Sequence, residues 1–248
     1  MLLVDTADQA SILEALRSPF VTGFTTNPSL VARAAGAESL PLPQYLAKTR
    51  ELCLLLKDPR AKAVRHFMIQ AVGSPGDMLE QADAYAKSLG EADRPRLWVK
   101  MPPTREGLSC CGDLKRLNLR ALVTAVFTAA QAHAAMEAGA DGVAVYLGRL
   151  MRLEKSWEKR VRVIAEVTRQ AGKTLLLASF PGLKTVERAL EFSRDLTVPP
   201  NILKQLLESK HSEAAIKDFE SKVTLFGGPR TRSGQGRLET PGFGRGAA

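Results

Sequence analysis

One lysine stands inside a run of residues that otherwise resembles a buried strand. The run is Leu97-Trp-Val-Lys-Met101, and Lys100 is its only charged member. Because burial of an ammonium group costs free energy, a lysine at such a position tends to lose its proton, and the neutral amine can form a Schiff base with a carbonyl compound. The alternative is a lysine whose ammonium group extends from the strand end into solvent. This segment alone leaves both interpretations open.

Polar residues also stand at the carboxyl ends of several other apolar runs. They are Asp5, Thr25, Asn27, Gln70, Thr124, Tyr146, Arg149 and Ser179. Each has an ordinary structural explanation, such as a helix cap, a turn, an interior hydrogen bond or a surface ion pair. Because buried polar side chains cost free energy unless they find partners, packing alone does not explain polar groups at the same end of each run. Together with Lys100 they indicate a reactive centre.

Short apolar runs alternate with amphipathic segments along the chain, and this alternation predicts the elements that position these residues. Strands are predicted near 2–5, 21–24, 66–70, 97–101, 121–126, 142–146, 174–178 and 195–198. Helices are predicted near 7–17, 43–57, 76–89, 106–117, 128–138, 156–171, 184–193 and 201–208. Eight β/α units favour a closed (β/α)₈ TIM barrel, with its active site at the carboxyl ends of the strands. An open doubly wound sheet is the alternative, but the glycine-rich loop that usually follows its first strand is missing here.

The composition is that of an ordinary globular domain. The chain has 248 residues, of which 45% are hydrophobic and 25% charged. Its apolar runs are too short for a membrane span, and the first residues lack the basic start of a signal peptide. Three cysteines, Cys53, Cys110 and Cys111, offer neither a disulfide framework nor metal-ligand spacing. We therefore expect a cytoplasmic protein with no membrane partner.

The net charge of +9 favours anionic partners, which include phosphorylated metabolites and nucleic acid. Residues 226–248 carry four arginines against one glutamate, and they are rich in glycine and poor in apolar residues. Such a composition predicts a disordered tail. Its arginines could contact RNA, but we favour a solvated tail and do not expect nucleic acid as a partner.

Eight short motifs occur in a fixed order over residues 1–222. They are Leu3-Val-Asp-Thr6, Gly23-Phe-Thr-Thr-Asn-Pro-Ser29, Val99-Lys-Met-Pro-Pro-Thr-Arg-Glu-Gly-Leu108, Thr124-Ala-Val-Phe-Thr-Ala-Ala-Gln-Ala132, Ala138-Gly-Ala140, Tyr146-Leu-Gly-Arg149, Ala178-Ser-Phe180 and Thr197-Val-Pro-Pro200. In these motifs the chain resembles the transaldolase family, which includes the small fructose-6-phosphate aldolases. The second and third motifs are specific in combination.

The resemblance implies a (β/α)₈ barrel of the class I aldolase type over residues 1–222, with a C-terminal helix. It also implies aldol chemistry that uses no metal and no other cofactor. By resemblance, Lys100 is the Schiff-base lysine and Asp5 is the acid near it. Thr124 matches the threonine that helps to position the catalytic water.

The substrate-binding residues are implied in the same way. Thr25 and Asn27 match residues that line the dihydroxyacetone pocket, and Arg149 and Ser179 match a phosphate-binding pair. The family often has a lysine after the serine-phenylalanine pair, where this chain has Pro181-Gly182. The resemblance therefore implies Schiff-base chemistry more directly than phosphate binding.

Two residues bear on the branch of the family. Transaldolases proper have a glutamate at the end of the third strand, whereas the fructose-6-phosphate aldolases have a glutamine there and use a tyrosine on the sixth strand. Gln70 and Tyr146 therefore favour a lyase that cleaves or forms a ketose similar to fructose 6-phosphate. A transaldolase that transfers the three-carbon unit between sugar phosphates is the alternative.

The partners follow from the same resemblance. They are a ketose and an aldehyde, which we expect to be phosphorylated, and other copies of the chain in a pentamer or a decamer. A barrel that binds sugar phosphates or RNA without catalysis is an alternative of another functional class, and the presence of Lys100 argues against it.

The Gly/Arg tail yields the first testable prediction. Truncation after Phe226 should change the turnover number and the Michaelis constant by no more than about twofold, since the tail cannot bury enough apolar surface to order itself. Steady-state kinetics of the full and truncated chains check this. A large loss of activity would mean that the tail covers an active site, and salt-dependent RNA binding by the full chain alone would assign the arginines to nucleic acid.

Overall fold

The computed structural model describes residues 1–223, so the predicted tail at 226–248 lies outside the described residues. The chain divides into a unit of Met1–Leu207 and a second unit that begins at Glu208. The first unit contains every strand, and the second contains a single described helix, Lys210–Ser221.

Eight parallel strands form the closed barrel that the alternation of apolar runs predicts. They are β1 (Leu2–Asp5), β2 (Gly23–Thr25), β3 (His66–Gln70), β4 (Leu97–Met101), β5 (Arg120–Val126), β6 (Gly142–Tyr146), β7 (Thr174–Ala178) and β8 (Asp195–Val198). Each strand pairs with its neighbours in chain order, and β1 pairs with β8 to close the sheet. The TIM-barrel prediction is confirmed; β2 begins two residues and ends one residue later than predicted, and β5 begins one residue earlier.

In the first unit, helices follow the strands around the outside of the barrel. They are α1 (Gln9–Ala15), α2 (Pro28–Ala34), α3 (Leu42–Leu54), α4 (Pro75–Ser88), α5 (Arg105–Ser109), α6 (Cys111–Arg116), α7 (Ala129–Glu137), α8 (Leu147–Leu153), α9 (Trp157–Gln170), α10 (Leu183–Ala189) and α11 (Pro200–Gln205). The helix of the second unit is α12 (Lys210–Ser221). Short 3₁₀ turns occupy Leu55–Lys57, Pro59–Ala61 and Glu91–Arg96.

Two of these helices, α2 and α8, have no counterpart in the sequence-based prediction. Asn27 caps α2 by accepting a hydrogen bond from the Leu30 amide, and Pro28 occupies the first turn. That cap and proline are a recognisable start signal. Helix α8 begins directly after β6 without a side-chain cap, so its sequence gives no comparable sign. Both helices adjoin or contain predicted site residues, so these two helices help to position the site.

Inside the barrel, five of the eight strands pass from an apolar layer to a polar one. Leu3, Met68, Trp98, Leu122, Ala144 and Leu176 form one packed cluster, which we call the interior floor. Since successive side chains of a strand point to opposite faces, the residue two positions further on also faces inward. Those positions are Asp5, Gln70, Lys100, Thr124, Tyr146 and Ala178. The interior floor therefore lies directly beneath most of the side chains predicted to perform chemistry.

The largest side chain of the interior floor is fixed by its neighbours on two strands. The indole N–H of Trp98 donates to Nδ1 of His66, 3.3 Å away. Burial and the nearby charge of Arg120 lower the pKa of His66, which keeps Nδ1 available as an acceptor. The Arg120 guanidinium lies 5.1 Å from the centroid of the indole ring. These contacts hold Trp98, and with it the strand that carries Lys100.

The loop after β4 is held by a close approach that only glycine permits. Thr104 caps α5 by accepting a hydrogen bond from the Gly107 amide. A Cβ on Gly107 would lie 2.2 Å from the carbonyl oxygen of Pro102, far inside van der Waals contact. A Cβ on Gly112, in the next helix, would meet no atom within 4 Å apart from its chain neighbours and the backbone of its own helix.

The contrast between these two helical glycines gives a matched pair of substitutions. Gly107→Ala should lower the free energy of unfolding by about 1–3 kcal/mol, because the backbone must move to accept the methyl group. Gly112→Ala should raise it by about 0.5–1 kcal/mol, because alanine is the better helix former. Denaturant unfolding of both variants measures the difference. Equal effects would show that the Pro102 contact is not a constraint.

Candidate active site

A cavity of about 110 Å³ opens above the interior floor, at the carboxyl ends of the strands. Its lining residues are Asp5, Thr25, Asn27, Lys100, Ala144, Tyr146, Arg149, Leu176, Ala178, Ser179 and Thr197. The structure thus brings together all the predicted site residues except Gln70 and Thr124. The cavity holds two cationic side chains, Lys100 and Arg149, against the single carboxyl group of Asp5, an arrangement that suits an anionic ligand.

Lys100 is almost completely enclosed, with 4% of its surface exposed. Its Nζ reaches across the barrel and donates to the backbone carbonyl of Thr26, 2.8 Å away. Thr26 follows β2 directly, so the amine is tied to the strand end that also carries Thr25 and Asn27. This geometry excludes the alternative in which the side chain of Lys100 extends into solvent.

Asp5 lies at the end of β1, where it accepts a hydrogen bond from one threonine hydroxyl group that in turn contacts a second. Thr25 Oγ1 donates to Asp5 Oδ1 at 2.7 Å, and Thr197 Oγ1 lies 2.6 Å from Thr25 Oγ1. Burial raises the pKa of Asp5, while the charge of Lys100 and the hydrogen bond from Thr25 oppose this rise. The carboxyl group therefore binds a proton at a higher pH than an exposed aspartate does.

Tyr146 is held in the cavity wall by three neighbours. Its hydroxyl lies 3.4 Å from Thr124 Oγ1, a long hydrogen bond. The ring contacts Phe127 edge-on, with 6.3 Å between centroids, and the guanidinium of Arg149 lies 5.1 Å above the ring centroid. Thr124 itself stands next to an irregularity in β5, where Ala125 adopts a positive φ of 57°. Thr124 thus contacts the site through Tyr146 although it does not line the cavity.

Gln70 is placed differently from the prediction. It ends β3 beside Lys100 in the strand register, but it is not among the residues that line the cavity. Its backbone carbonyl accepts a hydrogen bond from the hydroxyl of Tyr45, at 2.5 Å. Tyr45 belongs to α3, an element of the segment between β2 and β3. The glutamine therefore lies beside the lysine in the strand register, and its side chain is not part of the cavity lining.

Arg149 and Ser179 meet at the side of the cavity formed by β6 and β7. Ser179 has a positive φ of 70°, a conformation that non-glycine residues adopt at a cost. Gly148, next to Arg149, makes this approach possible, since a Cβ there would lie 1.9 Å from the carbonyl oxygen of Ser179. The Gly-Arg pair of α8 consequently lies directly against the serine that follows β7.

Thr197 is the one polar lining residue that was not predicted as a site residue. It is 2% exposed and lies in β8, where the sequence run Leu196-Thr-Val198 is otherwise apolar. The same signal that marked Lys100, a polar residue within a buried strand, could have identified it. The Thr197-Val-Pro-Pro200 motif contributes to the family resemblance, but that resemblance assigns no chemical role to its threonine.

Metal-ligand clusters and membrane spans are both missing from residues 1–223. No group of three or more His, Cys, Asp or Glu side chains in this range is arranged to hold a metal ion. None of the helices described in the same range has the length and apolar character needed to cross a membrane.

Comparison with known proteins agrees with this geometry. The family model described as Transaldolase/Fructose-6-phosphate aldolase matches residues 2–226. A protein of Thermus thermophilus named "Probable transaldolase" is 30% identical over 88% of this chain and 95% of its own length. A "Probable transaldolase 1" of Bacillus cereus is 30% identical over 87% of this chain and 94% of its length.

Solved structures show the same architecture at lower sequence identity. A triclinic crystal form of 2,3-dimethylmalate lyase is 13% identical, with a TM-score of 0.57 over 94% of this chain and 86% of its own. The trigonal form gives a TM-score of 0.58, with 13% identity over 90% of this chain and 78% of its own. At this identity the likeness concerns the fold alone. On the strength of the family match and the curated relatives, the chain belongs to the transaldolase/fructose-6-phosphate aldolase family of enzymes.

Proposed function

We propose that this enzyme is a class I aldolase that cleaves or forms a ketose through a Schiff base on Lys100. The observation that carries the proposal is the buried Nζ of Lys100 in a cavity that also presents a carboxyl group, a phenol and a guanidinium. Among the lysines and cysteines of residues 1–223, it is the one that lines the cavity.

The cysteine thiols are poor competitors for this role. All three cysteines are free and buried. Burial raises the pKa of Cys53 to about 12 and that of Cys111 to about 11, so both thiols stay protonated near neutral pH. None of the three lines the cavity. A thiolate is the reactive form of cysteine, so we assign the covalent chemistry to Lys100.

The proposed cycle begins with addition of the Lys100 amine to the ketone carbon, and the resulting carbinolamine loses water to give an iminium ion. The bond between the α and β carbons of the iminium ion then breaks, where the β carbon carries the hydroxyl group, and its electron pair flows toward the nitrogen to form an enamine. The proton of the cleaved hydroxyl passes to a base, and an aldehyde leaves. Protonation of the enamine carbon and hydrolysis release dihydroxyacetone and free Lys100.

Two groups supply the proton transfers in this proposal. Asp5, whose pKa burial raises, is suited to protonate the carbinolamine hydroxyl as it leaves as water. Tyr146, with Thr124 behind it, is suited to hold the water that takes the proton from the cleaved hydroxyl and returns it to the enamine. Gln70 is assigned to the same water by resemblance, although its side chain does not line the cavity.

Substrate recognition is proposed for the remaining lining residues. The oxygen of Asn27 already caps α2, which leaves its amide N–H groups for the dihydroxyacetone unit, together with Thr25. Arg149 and Ser179 offer charge-assisted hydrogen bonds to a substrate phosphate. A phosphorylated ketose similar to fructose 6-phosphate fits this charge distribution. An assembly of several copies of the chain remains a prediction from the resemblance.

A transaldolase is the second candidate, and the names of the curated relatives favour it. The two reactions share Lys100 and the enamine, and differ in whether a proton or a second aldehyde captures that enamine. Tyr146 in the cavity wall favours protonation, and thus the aldolase reaction. Measurement of free dihydroxyacetone against three-carbon transfer to an added aldehyde separates the two.

The covalent role of Lys100 is directly testable. Borohydride with dihydroxyacetone should add one three-carbon unit to the peptide that contains Lys100, and Lys100→Met should abolish both labelling and turnover. Lys173→Met is the control, since Lys173 lies just before the amino end of β7 and pairs with Asp141 at 3.7 Å. Peptide mapping by mass spectrometry gives the site. A folded Lys100→Met protein with normal activity would refute the Schiff-base mechanism.

The role of Tyr146 gives a second test. Tyr146→Phe should lower aldolase turnover by about 10²-fold, the usual contribution of an acid–base group, because it removes the hydroxyl that holds the water. Tyr85→Phe is a suitable control, since Tyr85 is buried and its hydroxyl bonds to Thr49 on the outer layer. That variant should lose stability without losing turnover. An unchanged turnover in Tyr146→Phe would show that groups other than the Tyr146 hydroxyl hold the catalytic water.

A further inference from the structure

We propose that Thr197 is a positioning residue for the reaction, because its hydroxyl donates to Thr25 and thereby directs the Thr25 proton onto Asp5. This inference rests on the proposed function, in which Asp5 transfers a proton next to Lys100. Thr197 itself needs no contact with the reacting atoms. It acts on Asp5 through one intervening hydroxyl.

The direction of the hydrogen bonds follows from counting protons. Each threonine hydroxyl carries one proton, and an ionised carboxylate can only accept. Thr25 Oγ1 donates its proton to Asp5 Oδ1 at 2.7 Å. The bond of 2.6 Å between Thr25 Oγ1 and Thr197 Oγ1 must therefore use the proton of Thr197. The three groups thus form a hydrogen-bonded row, in which Thr197 donates to Thr25 and Thr25 donates to Asp5.

The barrel closure places these three residues on adjacent strands. Asp5 of β1 lies opposite Thr25 of β2, and β8 pairs with β1 on its other side, with Thr197 opposite Leu3. Thr25 and Thr197 are 1% and 2% exposed, so bulk water cannot substitute for either hydroxyl. β-Branched side chains also have few rotamers, which fixes the hydroxyl directions. A row of this kind exists only because the first and last strands meet.

The row opposes the effect of burial on Asp5. Aligned hydroxyl groups polarise one another, so the Thr25 bond to a carboxylate is stronger when Thr197 donates behind it. Protonation of Asp5 weakens the acceptor at the end of the row, because a neutral carboxylic acid accepts a weaker hydrogen bond than a carboxylate does. The other titratable or charged groups that line this cavity are Lys100, Tyr146 and Arg149. Thr197 thus helps to keep Asp5 ionised and oriented beside Lys100, so that the carboxylate can accept the proton that it later transfers to the carbinolamine hydroxyl.

The first test reads Asp5 itself and does not depend on turnover. The carboxyl stretch of Asp5, identified by isotope-edited infrared difference against Asp5→Asn, is titrated in the full chain. Thr197→Val should move its midpoint upward by about half a pH unit, because the carboxylate loses the polarised bond. Thr197→Ser should restore the wild-type midpoint. Thr168→Val, which removes a buried hydroxyl bonded to the Ile164 carbonyl in α9, should leave it in place.

A double variant shows whether Thr197 acts through Thr25. In a Thr25→Val background the further change Thr197→Val should add no shift, because the intermediate hydroxyl is already gone. Should Thr197→Val prevent folding, the pair Thr197→Ala and Thr197→Ser provides the same contrast. A midpoint that stays fixed in Thr197→Val, or that moves equally in Thr168→Val, overturns the proposal. An additive shift in the double variant does the same.

The second test measures the chemical consequence with dihydroxyacetone as the probe. The rate of borohydride trapping at pH 7 should fall about fivefold in Thr197→Val, the size of one ordinary hydrogen bond, and recover in Thr197→Ser. A wild-type protein that is not labelled at Lys100 refutes the proposed function, while the infrared titration still decides the role of Thr197. A labelled wild type whose rate is unchanged in Thr197→Val refutes the positioning role alone.

Discussion

The burial of one lysine amine above a dry apolar layer is the constraint on which the rest of this structure depends. Lys100 stands two residues after Trp98 on the same strand, so the period of two that builds the interior floor also delivers the amine to the cavity. An amine so enclosed needs polar partners, and the Thr26 carbonyl and the neighbouring Asp5 supply them. The parallel barrel gathers these groups at one end because all its strands run in the same direction.

Close backbone approaches fix the loops that surround this amine. Gly107 allows α5 to pack on Pro102 just after β4, and Gly148 allows the end of β7 to approach α8. The second approach coincides with the strained backbone of Ser179. In both places a methyl group would displace a segment that lines or borders the cavity. The short motifs that carry the family resemblance therefore contain glycines that permit close packing as well as residues proposed to perform chemistry.

Burial raises the pKa of several titratable groups in this protein, but the consequence differs between the cysteines and Asp5. It keeps the thiols of Cys53 and Cys111 protonated and inert, away from the cavity lining. At Asp5 it raises the pKa as well, but Lys100 and the Thr25 hydroxyl limit that rise, and the carboxyl group can still exchange a proton. The difference lies in the neighbours, since a group is useful to catalysis only where specific partners balance the cost of desolvation.

The sequence by itself determined the number and order of the strands, because alternation between apolar runs and amphipathic helices is a local property of the chain. It also marked Lys100, Asp5, Tyr146 and Arg149, since a polar residue at the end of an apolar run is visible without coordinates. The capped start of α2 was available in Asn27-Pro28 but was not used. Only the tertiary structure decided that Gln70 stays outside the cavity lining and that Thr197 enters it. Whether a side chain reaches the cavity depends on strand register and barrel closure, and these bring together residues as distant in sequence as Asp5 and Thr197.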